Sequence, residues 1–208
     1  MAATSKTDQK ILAAATKLMA TCPWPKLTLA DIAREASLPI GSVYRIYPSR
    51  LAVLCALHRE IDGVMLDGTE EEGSPRDRVF DLLMRRFDAL ASLKPAFKTG
   101  LGELRKGRLG TLEAAAVAAL GLKRSMSRVL DAAGVSGSCL TIGLRAKILG
   151  TVYVAGFRVW LDDDSDDLAR TMAALDKALT RASPFLGLSN SQPKAATPEP
   201  GPLDPLPA

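Results

Sequence analysis

The sequence is poor in the residues that most chemistry needs. It has one histidine, three cysteines and five phenylalanines among 208 residues. Cys22, Cys55 and Cys139 are odd in number and scattered, with no Cys-x-x-Cys pair. Neither a disulfide framework nor a zinc site is expected. A lone His58 gives no Ser-His-Asp arrangement, and no glycine-rich loop follows a strand-like run. No catalytic centre and no cofactor is implied. The acidic run 162–167 lacks calcium-loop spacing and is not a metal cage. The longest apolar run free of acids and bases, ILGTVYVAGF (148–157), is too short to span a bilayer. The start, MAATSKTDQK, has no hydrophobic signal core. These absences describe a soluble, cytoplasmic, non-enzymatic protein without stable membrane insertion.

Charge of one sign is also scarce, but unevenly. Net charge is +4. Residues 1–60 hold eight Lys/Arg against four Asp/Glu, and residues 61–190 hold eighteen against seventeen. The basic excess therefore lies in the first sixty residues, a modest footprint for a polyanion.

What is present is helical period, almost everywhere. Ile11, Leu12, Ala15, Leu18, Met19 and Cys22 form one stripe, ended by PWP (23–25). Thr28, with Asp31 three residues on, has the spacing of a capping box and opens a second helix through Ile32, Ala33 and Ala36. Ser37–Leu38 makes a turn. Pro39 suits the first position of a third helix, because its missing N–H has no partner there anyway. Pro48–Ser49 stops that helix and Ser49 caps a fourth. GTEEEGSP (68–75) reads as a hinge. Val79, Phe80, Leu83, Phe87 and Leu90 mark a fifth helix, and a broken glycine-containing stretch follows (94–110). Helices are then expected over 111–133, 138–161 and 166–182, the last capped by Ser165 and its neighbouring aspartates. The fold class is all-α, of about nine helices. A three-helix helix-turn-helix domain (1–50) precedes a larger helical ligand-binding and dimerisation domain (51–183), with a disordered Pro-rich tail (184–208).

ILAAATKLMA, TLADIAREASL and GSVYRIYPSRLAVL together resemble the N-terminal domain of the TetR family of one-component regulators. Gly41, Ser42, Tyr44, Tyr47 and Arg50 stand at the family's motif positions. A second stretch, LRAKILGTVYVAGFRVWLDDDSDDLARTMAALDKAL (144–179), resembles the end of the TetR-fold lipid-binding proteins that assist ubiquinone biosynthesis. The first resemblance implies a ligand-responsive transcriptional regulator, a dimeric repressor. The second implies a lipid-binding accessory protein that does not bind DNA.

On the regulator reading, double-stranded DNA, a second copy of the chain and a small apolar or lipid-like effector are the partners. The third helix would enter the major groove with Ile40, Gly41, Tyr44 and Arg45 outward, and with Leu38, Val43 and Tyr47 inward. Arg45 would read a guanine edge. Ser42 and Tyr44 would hold phosphates, as would Thr28, Arg50 and Lys6 or Lys10 in an N-terminal arm. Tyr44 also fits a core position and Arg45 a solvated one. Ile40 offers no hydrogen bond, so base reading would rest on few side chains.

Candidate pocket residues are Phe80, Leu83, Met84, Phe87, Phe97, Met126, Tyr153, Phe157 and Trp160, a set that fits plain core as well. Gly143, Gly150 and Gly156 would let a partner helix or a ligand approach. The last two helices would pair with their mates in a four-helix bundle. His58, between Leu54 and Ile61, reads as a hydrogen-bonded core or interface residue.

Overall fold

A computed structural model describes residues 5–68, 73–105 and 109–188. Among these residues all regular structure is helical: α1 (Lys6–Thr21), α2 (Leu29–Glu35), α3 (Ile40–Ile46), α4 (Arg50–Leu66), α5 (Pro75–Ala89), α6 (Lys94–Arg105), α7 (Leu109–Ala132), α8 (Cys139–Leu161) and α9 (Ala169–Leu186), with single 3-10 turns at Trp24–Lys26 and Ala91–Leu93.

The helix starts follow from local chemistry. The Thr28 hydroxyl accepts from the Asp31 N–H, and the Asp31 carboxylate accepts from the Thr28 N–H. Each satisfies a backbone donor that a helix leaves unpaired at its start. Ser74 and Asp77 repeat the device at α5, where Pro75 takes the first position. Ser49 caps α4 and Ser138 caps α8. Pro39 sits one place before the expected position, as the N-cap of α3.

Two cores result. Ile11, Leu12, Ala15, Ile32, Val43 and Tyr47 fill the N-terminal one. Val79, Leu82, Leu83, Phe87, Met126, Leu149, Trp160 and Leu175 fill the other. Helix α4 belongs to both: Val53, Leu54, Ala56 and Leu57 enter the first core, while Ile61 and Met65 enter the second. At roughly 1.5–3 kcal/mol for each fully buried large apolar side chain, neither end of α4 is free to leave its core cheaply. The expected domain boundary at residue 50 thus falls at the start of a helix that both cores share.

Within the second apolar half of α4, between Ile61 and Met65, lies a buried carboxylate. Asp62, 3 % exposed, accepts from Arg86 Nη1 of α5 at 2.5 Å and from Ser125 Oγ of α7 at 2.5 Å, and Arg128 Nη1 of α7 completes the set. Arg86 is 2 % exposed and lies over the Tyr153 ring of α8, 5.6 Å from its centre. One turn earlier, His58 lies against Gly121 of α7. A Cβ added at Gly121 would come within 2.9 Å of the imidazole, so glycine permits the approach of α4 to α7. The buried Nδ1 of His58 has no hydrogen-bond partner, against the expectation of a hydrogen-bonded histidine.

Other differences have tertiary causes. Residues 94–105 form α6 despite Gly100 and Gly102. Helix α9 runs through Pro184 to Leu186 because Leu186 and Leu188 are buried in the core; Gly187, at φ +71°, then ends it. Ser165 does not cap α9. Leu168 is the N-cap, and the buried Asp163 carboxylate instead takes the Thr171 N–H at 2.8 Å and hydroxyl at 2.7 Å, and the Ser165 hydroxyl at 2.6 Å. These hydrogen bonds, from Ser165 first and then Thr171, hold the Asp163 carboxyl well below the usual range. Gly156 faces inward, its Cβ position 3.4 Å from Phe87 and Leu175 atoms, whereas nothing lies within 4 Å of a Cβ at Gly143. The three glycines of α8 do not form one contact stripe. Residues 69–72 of the expected hinge, and residues 189–208 of the expected tail, lie outside the described residues.

Burial, reinforced by the Arg86 charge and opposed by Asp62, lowers His58 to about 4 from an ordinary value of 6.5. The folded state therefore prefers neutral His58. Stability is full above pH 6.5, declines as the unfolded chain takes up the proton, and stops declining on this account below pH 4. Urea midpoints measured between pH 7.5 and 4 should show this fall, and His58→Gln should flatten it. An unchanged profile in His58→Gln would contradict the assignment.

Candidate nucleic-acid interface

Helices α2 and α3, joined through Ser37 at φ +54°, form a helix-turn-helix against α1. Val43 and Tyr47 face the core at 0 % and 4 % exposed, and Leu38 packs against it. Ile40, Gly41, Tyr44 and Arg45 are exposed. Tyr44, at 54 % exposed, is a surface residue and not a core tyrosine. The outward face expected from the sequence is therefore present as a face.

The individual groups are more committed than their exposure suggests. Arg45 folds back along its own helix, donating from Nε to the Gly41 carbonyl at 3.2 Å and from Nη2 to Ser42 Oγ at 3.1 Å. Both bonds are at the surface and compete with water, so the guanidinium can leave them for a better acceptor. Thr28 is occupied as a cap: its hydroxyl also donates to Asp31 Oδ2 at 2.6 Å. The hydrogen bonds from Thr28, followed by the Arg34 charge, lower the Asp31 carboxyl. Lys6 and Lys10 sit on α1 itself, not on an arm.

Arg50 departs most from its expected role as a phosphate clamp. Its Nη1 points at the carbonyls of Trp24, Pro25 and Leu27 at 3.2–3.4 Å, and the guanidinium lies over the Trp24 ring, 5.5 Å from its centre. It ties the turn after α1 to the start of α4. Tyr47, which sequence reasoning placed only as packing, donates its hydroxyl to Asp8 of α1. Burial, then that carboxylate, push the Tyr47 phenol up. Asp8 and Tyr47 are 39 residues apart, and no local pattern signals the pair.

The nine expected pocket residues come together, but as packing. Phe87 stacks on Tyr153 with ring centres 4.9 Å apart and planes at 7°, and Phe157 stacks on Trp160 at 5.4 Å. Phe97 meets Phe157 edge-on at 5.1 Å. Leu83 and Met126 are fully buried beside them, with Phe80 and Met84 packed on the edge. None of the nine lines the open groove between α7 and α8, about 520 Å³, which is bounded by Leu122, Lys123, Lys147, Gly150, Val154 and Arg158. The rings fill one another's space, so what pattern suggested as a pocket is a closed aromatic layer. Within it, burial pushes the Tyr153 hydroxyl up to about 12, against the pull of Arg86.

Helix α8 is long and apolar enough to cross a membrane by length and composition, contrary to the expectation from its longest uncharged run. It is packed on α7 and α9, with Ala146, Leu149, Val152, Tyr153 and Trp160 buried. No group of three or more His, Cys, Asp or Glu able to hold a metal ion occurs among the described residues.

Residues 11–57 match the family model for bacterial regulatory proteins of the tetR family. This stretch, from α1 to the first half of α4, resembles that family's N-terminal domain. Most of the chain shares its fold with TetR regulators of known structure. A TetR transcriptional regulator from Nitrosomonas europaea aligns with TM-score 0.65 at 22 % identity, over 84 % of this chain and 96 % of that one. One from Rhodococcus sp. RHA1 gives 0.58 at 17 %, over 88 % and 99 %. The Bacillus subtilis regulator FadR, solved with stearoyl-CoA, gives 0.57 at 19 %, over 83 % and 97 %. No curated protein matches the chain in sequence. These TetR matches are to regulators and lend no support to an accessory lipid-binding role without DNA.

Arg50→Ala should lower the unfolding free energy by roughly 1–3 kcal/mol, through the lost carbonyl bonds and cation–π contact. Urea denaturation of the two proteins reads this directly. Equal midpoints would mean that the Arg50 contacts carry no structural weight.

Proposed function

We propose that the protein is a cytoplasmic, dimeric, ligand-responsive DNA-binding regulator of the TetR type, acting as a repressor. The observation that carries this reading is the exposed α3 face, Ile40, Gly41, Tyr44 and Arg45, on a TetR-family domain. The basic excess of the first sixty residues adds the electrostatic attraction a polyanion needs. In a dimer, each α3 would enter a major groove of an inverted repeat, one helical turn apart or more. Ser42 and Tyr44 would contact phosphates and Arg45 a guanine edge once it leaves Gly41 and Ser42.

Dimer formation is supported by apolar surface on the last two helices. Leu140, Leu144 and Val154 of α8 are 85 %, 59 % and 38 % exposed, and Phe185 of α9 is 70 % exposed. Pairing of these two helices with those of a second copy would take this apolar surface out of water.

An apolar effector is supported by the aromatic layer, beside which lie the polar groups of Arg86 and Tyr153. An effector that separated Phe87 from Tyr153 would meet them beside Asp62, on the helix that carries the DNA-binding core. It would act only through unequal affinity for DNA-competent and incompetent arrangements.

The test is selection of the purified protein on a random duplex pool at near-physiological salt. The expected result is an enriched inverted repeat. Arg45→Ala should then relax the preference at one base pair by about 1–3 kcal/mol. Weak, salt-sensitive binding without enrichment would overturn the reading.

A further inference from the structure

The outward face of α3 carries an apolar group where base edges are met. Ile40 is the first residue of the helix and 41 % exposed. Residues near the start of the second helix of a helix-turn-helix are the ones that reach base edges. Beside it, nothing lies within 4 Å of the position a Cβ would take on Gly41, so the ground next to Ile40 is open. Arg45, the one cation on this face, lies along the helix in bonds to Gly41 and Ser42. Tyr44 stands outward one turn on.

An isoleucine side chain has no donor and no acceptor. In the major groove the four base pairs offer donors, acceptors and a single apolar group, the thymine C5-methyl. Placing Ile40 over a cytosine amino group or a guanine carbonyl would strip water from a polar atom and return no bond. Over a thymine methyl, both partners lose only unfavourable hydration.

We infer that Ile40 is a specificity-determining residue that selects thymine in each operator half-site by contact with its C5-methyl. This rests on the regulator reading and names the base chemistry it recognises. The preference has two components: attraction to the methyl, and exclusion of base pairs that present a polar edge there.

The experiment replaces each thymine of the selected inverted repeat in turn with deoxyuridine, which keeps every hydrogen bond and removes only the methyl. Binding is measured for the wild type and for Ile40→Ala, whose exposed site leaves the fold intact; a melting curve checks this. At one thymine per half-site, deoxyuridine should weaken the wild type about fourfold, the burial value of one methyl-sized group. Ile40→Ala should bind the thymine operator more weakly and lose nothing further on deoxyuridine. The inference is overturned if the half-site contains no thymine, if every deoxyuridine is neutral for the wild type, or if the loss persists unchanged in Ile40→Ala. The last two outcomes place Ile40 against sugar and leave the regulator reading standing. Failure of that reading shows earlier, as the absence of any enriched repeat, and removes this inference with it.

Discussion

The structure depends on a carboxylate that could not be where it is alone. Asp62 is buried in the second half of α4 and is held by Arg86, Ser125 and Arg128 from α5 and α7. Removing an ionised carboxylate from water is costly, and only close donors on its lone pairs offset that cost. The arrangement therefore admits few alternatives: α4 must lie where two arginines and a serine converge. A well-packed apolar substitute could be as stable, but would fix the rotation and height of α4 less strictly. Removing one partner is different, because it strands a charge inside the fold.

This constraint matters because α4 is the element shared by both cores. Its first half is built into the N-terminal core and its second half into the larger one. Any change around Asp62, His58 or Gly121 therefore bears on the position of α3. Arg50 extends the tie by joining the first turn of α4 to the carbonyls after α1. The α3 face is consequently joined to a helix whose far end enters the core that holds the aromatic layer.

What could be read in the sequence was what is decided locally. The Thr28–Asp31 box, the Ser49 cap and the inward and outward faces of α3 need only residues within a turn or two of each other. The family motif fixed the N-terminal domain for the same reason. The rest depends on contacts between distant residues. Asp62 and Arg128 are 66 residues apart, and an acid on the apolar side of a helix gives no hint of its partners. The contacts of Arg50 with the turn after α1 were not legible, because its position in the motif says nothing of the turn it folds onto. Pro184 suggested an end to α9 that burial of Leu186 and Leu188 overrode. The aromatic set was found correctly as a group, but spacing could not tell rings lining a cavity from rings filling it.

The central claim is that the Asp62 cluster locks α4 between the two cores. Hydrogen–deuterium exchange resolved along α4, in the wild type and in Asp62→Ala, tests it most directly. Slow exchange over residues 58–66 in the wild type is predicted. In Asp62→Ala the same residues and their neighbours on α5 and α7 should lose at least about tenfold in protection, since a stranded buried charge costs roughly 3–5 kcal/mol, while α2 and α3 keep theirs. Equal protection of α4 in the two proteins would contradict the account.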